Sequence, residues 1–122
     1  MTVWRRNGKA MNDRISGLLG IARRSGHLQC GFDATVDAVS AGQAKLVLCA
    51  ADISPKTDKE WRYAVRRTPV RALTLPLTKE QLGHALGLHR PVGLAVTDDD
   101  GFAARLTALT TEQPEEETTY DD

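Results

Sequence analysis

The chain has 122 residues, of which 41% are hydrophobic, enough to close one core but short of the length at which two domains are expected. Only 5% are aromatic, which favours a core of Leu, Val, Ala and Ile, as in a sheet covered by helices, and argues against an aromatic platform for stacking bases. The formal net charge of +0 argues, at face value, against a partner that carries phosphates.

The distribution of charge changes that conclusion. The remainder of the chain, without its last 11 residues, has 16 basic and ten acidic side chains, a net charge of +6, which is compatible with a nucleic-acid partner. We therefore predict a flexible basic arm at residues 1–11, a folded domain at 12–110 and a disordered acidic tail at 111–122. The six acidic residues of the tail, which has no Lys or Arg, are Glu112, Glu115, Glu116, Glu117, Asp121 and Asp122.

The cysteines and histidines provide no pattern for metal or redox chemistry. Cys30 and Cys49 do not form a C-x-x-C pair and lie in apolar surroundings, so we expect reduced core residues, no metal and no cofactor. No apolar run approaches the roughly 20 residues that span a bilayer, and the N-terminus is charged where a signal peptide is apolar. We expect a cytoplasmic protein without a membrane partner.

The first half of the chain predicts two helices and two strands. Apolar residues recur at helical spacing between Asn12, a plausible cap, and Gly26, and again over residues 32–42. A short strand is predicted at Leu28–Cys30. The continuous apolar run LVLCA at 46–50 indicates a strand buried on both faces, as in a parallel sheet.

The second half begins with a strong helix start. Ser54 followed by Pro55 combines a capping hydroxyl with a residue shaped for the first helical position. This helix is predicted to reach about Arg67, with Trp61, Ala64 and Val65 on its apolar side. The same signals predict strands at 70–75 and 92–97, a short helix at 79–86 with a capping box at Thr78 and Gln81, and a last helix after Asp98, Asp99 and Asp100.

The alternation of helices and strands indicates an α/β protein. Five helices and four strands in this order predict a three-layer α/β/α sandwich with a mixed four-stranded sheet, in a single domain. The weakest element of this prediction is the first, very short strand.

Three sequence blocks resemble a known family. GLLGIARRSGHLQCG, AGQAKLVLCAADISP and LTKEQLGHALGLHRPVGLAVTD, in this order and spacing between Asp13 and Leu109, resemble the small ribosomal proteins named L-seven-Ae and L-thirty-e, and in particular their bacterial YlxQ-like branch. The resemblance implies the same α/β/α fold and a non-catalytic, ribosome-associated RNA-binding protein. Members of the family typically recognise a kink-turn, a sharply bent RNA helix with tandem sheared G·A pairs.

The resemblance also implies where RNA is bound. The expected contacts are the start of the second helix, a loop before the last strand and a segment after the buried strand. Lys45 matches the family's A-K-L-V strand start, where anchoring the strand is its first expected role and RNA contact its second. The residues that we expect at the interface are Gly31, Phe32, Asp33, Ala34, Thr35, Asp37, Asp52, Ser54, Lys56, Leu88, His89, Arg90 and Pro91, together with Lys45.

The chain departs from the family pattern at three of these positions. Kink-turn binders present Asn-Glu where this chain has Asp33 and Ala34, and Lys where it has Asp37. A carboxylate that only accepts replaces an amide that also donates, and a negative charge replaces a positive one beside phosphate. From the resemblance as a whole, we expect a monomer that binds structured RNA, with ribosomal RNA as the first candidate. Ribosomal or other RNA-associated proteins are further expected partners.

Several alternatives stay open on the sequence alone. The fold could serve as a protein-interaction module that has lost kink-turn specificity, or as the substrate-binding domain of an RNA-methylating enzyme whose catalytic part is another chain. The basic side of the third helix is either a phosphate contact or an ordinary solvated face. The three aspartates at 98–100 either hold a metal ion or, more simply, cap the last helix.

Overall fold

A computed structural model describes the backbone of residues 2–121 and the side chains of residues 10–111. Within that range the chain forms five helices and four strands in the predicted order. They are α1 (Thr2–Arg24), β1 (Leu28–Cys30), α2 (Phe32–Ser40), β2 (Leu46–Cys49), α3 (Pro55–Ala64), β3 (Ala72–Thr74), α4 (Lys79–Ala85), β4 (Leu94–Thr97) and α5 (Asp100–Asp121).

The four strands form one mixed sheet in the order β1-β4-β2-β3. β4 is antiparallel to both of its neighbours, and β2 and β3 are parallel. Leu46 pairs with Thr97 at one edge of the sheet, and Cys49 pairs with Leu94 at the other. The prediction of a mixed four-stranded sheet in a single domain is therefore confirmed, and even the short first strand has its predicted bounds.

The side chains of the two central strands alternate between two cores, as the pleat of a strand requires. Leu46 and Leu48 face the core that α1, α4 and α5 cover, whereas Val47 and Cys49 face the core beneath α2 and α3. Trp61 anchors this second core from α3 and is almost fully buried. Both faces of β2 are therefore covered, which explains its continuous apolar sequence.

Three of the predicted helix starts are closed by side chains. Ser54 Oγ accepts from the Thr57 amide at 3.1 Å, and Thr78 with Gln81 forms the predicted capping box at α4. Asp99 Oδ2 accepts from the Phe102 amide at 2.9 Å at the start of α5, so one of the three aspartates is a helix cap. Among residues 10–111 no group of three metal-ligating side chains is found.

Several predicted boundaries are wrong. α3 ends at Ala64 rather than near Arg67. Ala64, which we predicted on the apolar side of the helix, is exposed, whereas Val65, which follows the last helical residue, is buried in the core. β3 pairs only over Ala72–Thr74, the centre of the predicted strand, and β4 begins at Leu94 rather than at residue 92 but ends as predicted at Thr97. Met11, which we assigned to the arm, is buried in the folded domain.

The backbone helices at the two ends of the chain extend beyond the predicted bounds, because α1 begins before Asn12 and α5 continues past Thr111. The side chains of residues 1–9 and 112–122 lie outside the described range. The flexible basic arm and the disordered acidic tail therefore stay predictions.

The cysteines are free, as predicted, with Cys49 buried and Cys30 half-buried. Burial raises the pKa of the Cys49 thiol, and the nearby Asp58 carboxylate acts in the same direction. Among the described helices, none has the length and apolar character needed to cross a membrane.

Candidate nucleic-acid interface

The three segments expected to contact RNA meet at one edge of the sheet. The amide of Gly31 donates to the carbonyl of Leu94 at 2.8 Å, and the amide of Ala50 donates to that of Gly93 at 3.0 Å. The start of α2 and the chain that leads to α3 therefore both join the end of the sheet where β4 begins. A cleft of about 240 Å³ lies between them, lined among others by Gly31, Ser54, Lys79, Arg90 and Pro91.

The N-terminus of α2 is left open by its capping residue. Gly31 has φ 108° and ψ 162° and no side chain with which to accept from the first turn. Within the described part of the chain, no hydrogen bond is recorded for the amides of Phe32, Asp33 or Ala34, whereas the next amide, of Thr35, donates to the Gly31 carbonyl at 3.1 Å. Three backbone donors and the positive end of the helix dipole thus have no acceptor among the described residues.

The loop before β4 is held against α4 by backbone contacts. The amide of Leu88 donates to the carbonyl of Gly83 at 2.9 Å, and the amide of Val92 donates to that of Lys79 at 3.0 Å. Gly83 is buried, and a Cβ there would overlap the carbonyl oxygen of Arg90. The loop is thereby fixed at both ends. Leu88 packs on the core, while His89, Arg90 and Pro91 are exposed.

The segment after β2 supports the cleft mainly through backbone and caps. Asp52 Oδ1 accepts from the Lys79 amide at 2.7 Å and so fixes the start of α4. Ser54 is engaged as the cap of α3, and the side chain of Lys56 is exposed on the first turn of that helix. Of these three predicted contact residues, only Lys56 has a side chain that is not already used by a described hydrogen bond.

The predicted interface residues of α2 divide into exposed and buried groups. Asp33 and Asp37 are exposed, Phe32 and Ala34 are half-buried, and Phe32 packs against the core beneath α2. Thr35 is 0% exposed, and its hydroxyl has no hydrogen-bond partner among the described residues. The structure therefore places Thr35 beneath the surface rather than on it.

Lys45 does not join the other predicted contacts. It precedes β2, where its amide donates to the carbonyl of Thr97 at 2.8 Å, and it therefore lies at the opposite edge of the sheet. Five residues of extended chain separate it from Ala50, a span of roughly 16 Å. The sequence does not show which segments lie near each end of β2. The sheet topology places Lys45 and the cleft at opposite ends of this strand.

Two residues at the cleft were missed by sequence reasoning. Lys79 lines the cleft from the first position of α4 and adds a positive charge beside Arg90. Gly83 carries no functional group, and its importance lies in the close approach of the Arg90 carbonyl. The capping box that begins at Thr78 was a signal that Lys79 lies at the start of a helix. For Gly83 there was no signal in the sequence, because a glycine within a helix does not show what lies against it.

Comparisons with known proteins identify the family of this chain. The sequence profile described as the ribosomal protein L7Ae/L30e/S12e/Gadd45 family matches residues 13–107, nearly the range of the predicted resemblance. The chain is 31% identical over 99 residues to the RNA-binding protein YlxQ of Bacillus subtilis, with 75% of this chain and 90% of that protein covered. It is 29% identical over 101 residues to the large ribosomal subunit protein eL30 of Dictyostelium discoideum, with 83% and 90% covered.

Solved structures show the same fold. A protein of unknown function from Bacillus halodurans superimposes with a TM-score of 0.66 at 31% identity, covering 80% of this chain and 96% of that one. The 15.5kD RNA binding protein of Giardia lamblia has a TM-score of 0.66 at 18% identity, with 88% and 90% covered, and at that identity it shows the fold alone.

Proposed function

Because this chain belongs to the ribosomal protein L7Ae/L30e/S12e/Gadd45 family, we propose that it binds a structured RNA in the cleft between α2, α3 and the loop at 88–91. The RNA is bent in the manner of a kink-turn and is part of the ribosome or of a particle that assembles it in the cytoplasm. The family is one of non-catalytic ribosomal and related proteins, and the chain is accordingly not an enzyme.

The observation that carries the proposal is the open N-terminus of α2. Three unpaired amides, from Phe32 to Ala34, lie beside a cleft that Lys79 and Arg90 also line. Backbone amides at a helix start bind phosphate oxygens and the acceptor edges of bases, and two cations beside them strengthen this attraction. At the starts of α3 and α4, by contrast, a capping side chain already accepts from one amide of the first turn.

The side chains of α2 alter the specificity that the family would otherwise imply. Asp33 and Asp37 are exposed where kink-turn binders carry an amide and a lysine, and Ala34 has no group with which to accept from a guanine. Recognition in this chain therefore depends on backbone amides and on the loop at 88–91 more than on side chains of α2. We expect tolerance of different base pairs at the bend, with the bent shape itself still required.

A titration with two RNAs tests the proposal. One RNA contains a kink-turn, and the other is identical except that Watson–Crick pairs replace its G·A pairs, each measured at two salt concentrations. Tighter binding of the intact motif at both concentrations supports recognition of the bend. Equal binding that weakens steeply with salt would reduce the interaction to phosphate contact and would contradict the proposal.

A charge reversal in the loop tests the position of the site. Arg90→Glu removes one cation from the cleft and adds an anion, so we expect the Kd for the kink-turn RNA to rise about tenfold or more. Arg105→Glu is the matched control, because Arg105 is an exposed arginine of α5, on the other side of the sheet. Equal effects of the two variants would mean that only net charge matters and that the loop is not at the interface.

A protein partner is the second candidate function, favoured by a groove on the opposite side of the molecule. The groove between α1 and α5 has a volume of about 510 Å³ and an apolar floor that includes Leu18 and Leu109, with Arg14 and Arg105 at its borders. Ile21, which also lines it, is 51% exposed. If neither RNA binds and Ile21→Glu abolishes capture of a partner from nuclease-treated extract, this second function replaces the first.

A further inference from the structure

The C-terminal half of α3 and the chain that follows it form a strongly basic surface. No acidic residue occurs between Glu60 and Glu80, whereas Arg62, Arg66, Arg67 and Arg71 all lie in that stretch and are all exposed. A run of arginines without interspersed carboxylates gives this surface an excess of positive charge.

An exposed aromatic ring lies beside one of these arginines. Tyr63 is 66% exposed, and the guanidinium carbon of Arg66 lies 4.0 Å from its ring centroid. Arg66 Nη1 also donates to the carbonyl of Tyr63 at 2.9 Å. These two contacts hold the guanidinium on one side of the ring, and most of the remaining ring surface is open to solvent.

The arginines differ in how far their charge is neutralised. Arg62 Nε donates to both carboxylate oxygens of Asp58 at 3.1 Å, and its guanidinium also lies over the ring of Trp61. In the described part of the chain no ion pair is recorded for Arg66, Arg67 or Arg71. The last three guanidiniums therefore keep their full charge for a ligand.

The basic surface is separated from the cleft by the length of α3. The helix starts at the cleft with Ser54 as its cap and has ten residues, so its far end lies about 15 Å away. The Arg71 carbonyl accepts from the Val47 amide at 2.9 Å, which places Arg71 near the start of β2, at the edge of the sheet that also carries Lys45.

We propose that Tyr63, Arg66, Arg67 and Arg71, here called the α3 basic patch, bind a single-stranded segment that flanks the structured RNA. An unpaired base stacks on the open face of the Tyr63 ring, and Arg67 and Arg71 contact the phosphates on either side of it. The inference rests on the proposed function and extends it, since the same RNA occupies the cleft and the patch. At about 3.4 Å per stacked nucleotide, about five nucleotides cover the distance between them.

The chemistry of the patch favours RNA over an acidic protein surface. Stable protein interfaces have an apolar centre, and the large apolar side chains of α3, Trp61 and Val65, are buried in the core rather than at the patch. A lone exposed ring among unpaired arginines is instead the combination that binds single strands, through stacking and phosphate contact.

The experiment compares a blunt kink-turn RNA with the same RNA carrying an eight-nucleotide single-stranded extension, once on each strand. In the wild-type protein, one of the two extensions should lower the Kd about fivefold or more, as expected for one stacked base with its phosphates. Tyr63→Ala and the double variant Arg67→Ala/Arg71→Ala should lose this gain and bind the extended RNA no better than the blunt one. Tyr63→Phe should keep it.

The matched control is Arg14→Ala/Arg105→Ala, which removes the same charge from exposed arginines of α1 and α5. We expect this variant to keep the gain from the extension. The dependence of log K on log salt for the extended RNA should fall by about 1.4 in the Arg67/Arg71 variant, at about 0.7 for each single-strand phosphate contact.

Two failures are distinguishable. If neither extension tightens binding, or if the patch variants keep the gain, the inference is overturned, while blunt RNA that still binds and still responds to Arg90→Glu leaves the cleft in place. If wild-type protein binds neither the blunt nor the extended RNA, the proposed function and the inference are overturned together.

Discussion

Replacing Gly83 by alanine should weaken RNA binding without removing any side chain that contacts RNA. Gly83 is a buried position of α4, where a Cβ would overlap the carbonyl oxygen of Arg90 and lie 3.1 Å from its carbonyl carbon. Ordinary carbon contacts need about 3.5–4.0 Å, so the loop at 88–91 has to move by roughly an ångström. The bonds from Leu88 to Gly83 and from Val92 to Lys79 oppose that movement.

The expected magnitudes follow from two opposed terms. Overpacking against backbone costs about 1–3 kcal/mol, and alanine in a helix offsets about 0.5–1 kcal/mol of it. Urea unfolding should therefore show a net loss of about 0.5–2 kcal/mol in the free energy of unfolding. A displaced Arg90 loses one charge-assisted contact, about 1.5–3 kcal/mol, so the Kd for the kink-turn RNA should rise about tenfold or more.

Gly17→Ala is the matched control, because the same substitution in α1 meets no atom within 4 Å. It should raise the free energy of unfolding by up to about 1 kcal/mol and leave RNA affinity unchanged. If Gly83→Ala is destabilised as expected but binds RNA with wild-type affinity, the position of the loop does not matter for binding, and the placement of Arg90 at the interface is refuted.

Three further predictions test the start of α2 and the core. Gly31→Ala should cost about 1–3 kcal/mol of stability, since φ is 108° there, and should weaken RNA binding as the helix start shifts; a Kd within twofold of wild type would contradict the role of the open amides. Thr35→Val removes a buried hydroxyl without a described partner and should raise the free energy of unfolding by about 1 kcal/mol, with RNA affinity unchanged; a loss of stability in urea would mean that the hydroxyl is in fact hydrogen-bonded. Burial raises the pKa of the Cys49 thiol in the folded protein, so as the pH rises the unfolded chain loses the thiol proton before the folded chain does. The contribution of the protonated thiol to the free energy of unfolding is therefore complete below the usual thiol pKa of about 8.5 and declines above it. Urea unfolding at pH 7.5 and pH 10 should show a larger decline for wild type than for Cys49→Val, and equal declines would contradict this.

Much of the fold was predictable because local signals and burial agree. The run from Leu46 to Cys49 is apolar on both faces of its strand and is covered by helices on both sides, and Ser54 with Pro55 fixed the start of α3 correctly. The end of α3 was not predictable from spacing, because the spacing places Val65 on the apolar side of the helix whether or not the helix continues. In the structure Val65 is buried in the turn that ends the helix. Packing of that side chain, rather than helical periodicity, decides where the helix stops.

The candidate site was predictable only as far as the family resemblance reached. It identified three segments that the sheet topology brings together, but it could not separate Thr35, which faces the core, from its exposed neighbour Asp33. Lys45 was included because it matches the family's A-K-L-V strand start, with RNA contact as its second expected role, and the strand carries it to the far edge of the sheet. Contacts between backbones, such as that of Gly83 with Arg90, leave no pattern in the sequence.

The capping residues are the reason why we assign the binding surface to the start of α2 rather than to the starts of α3, α4 and α5. Ser54, Thr78 and Asp99 close α3, α4 and α5 from within the chain, each by accepting from an amide of the first turn. Gly31 closes nothing, and its positive φ angle keeps a side chain from being substituted there without strain. A hydroxyl at this position would accept from one of these amides and so compete with the acceptor that we assign to RNA. Gly31 therefore leaves the start of α2 without a side-chain cap, and this lost stabilisation of the helix is the reason why we expect its amides to be available to a ligand.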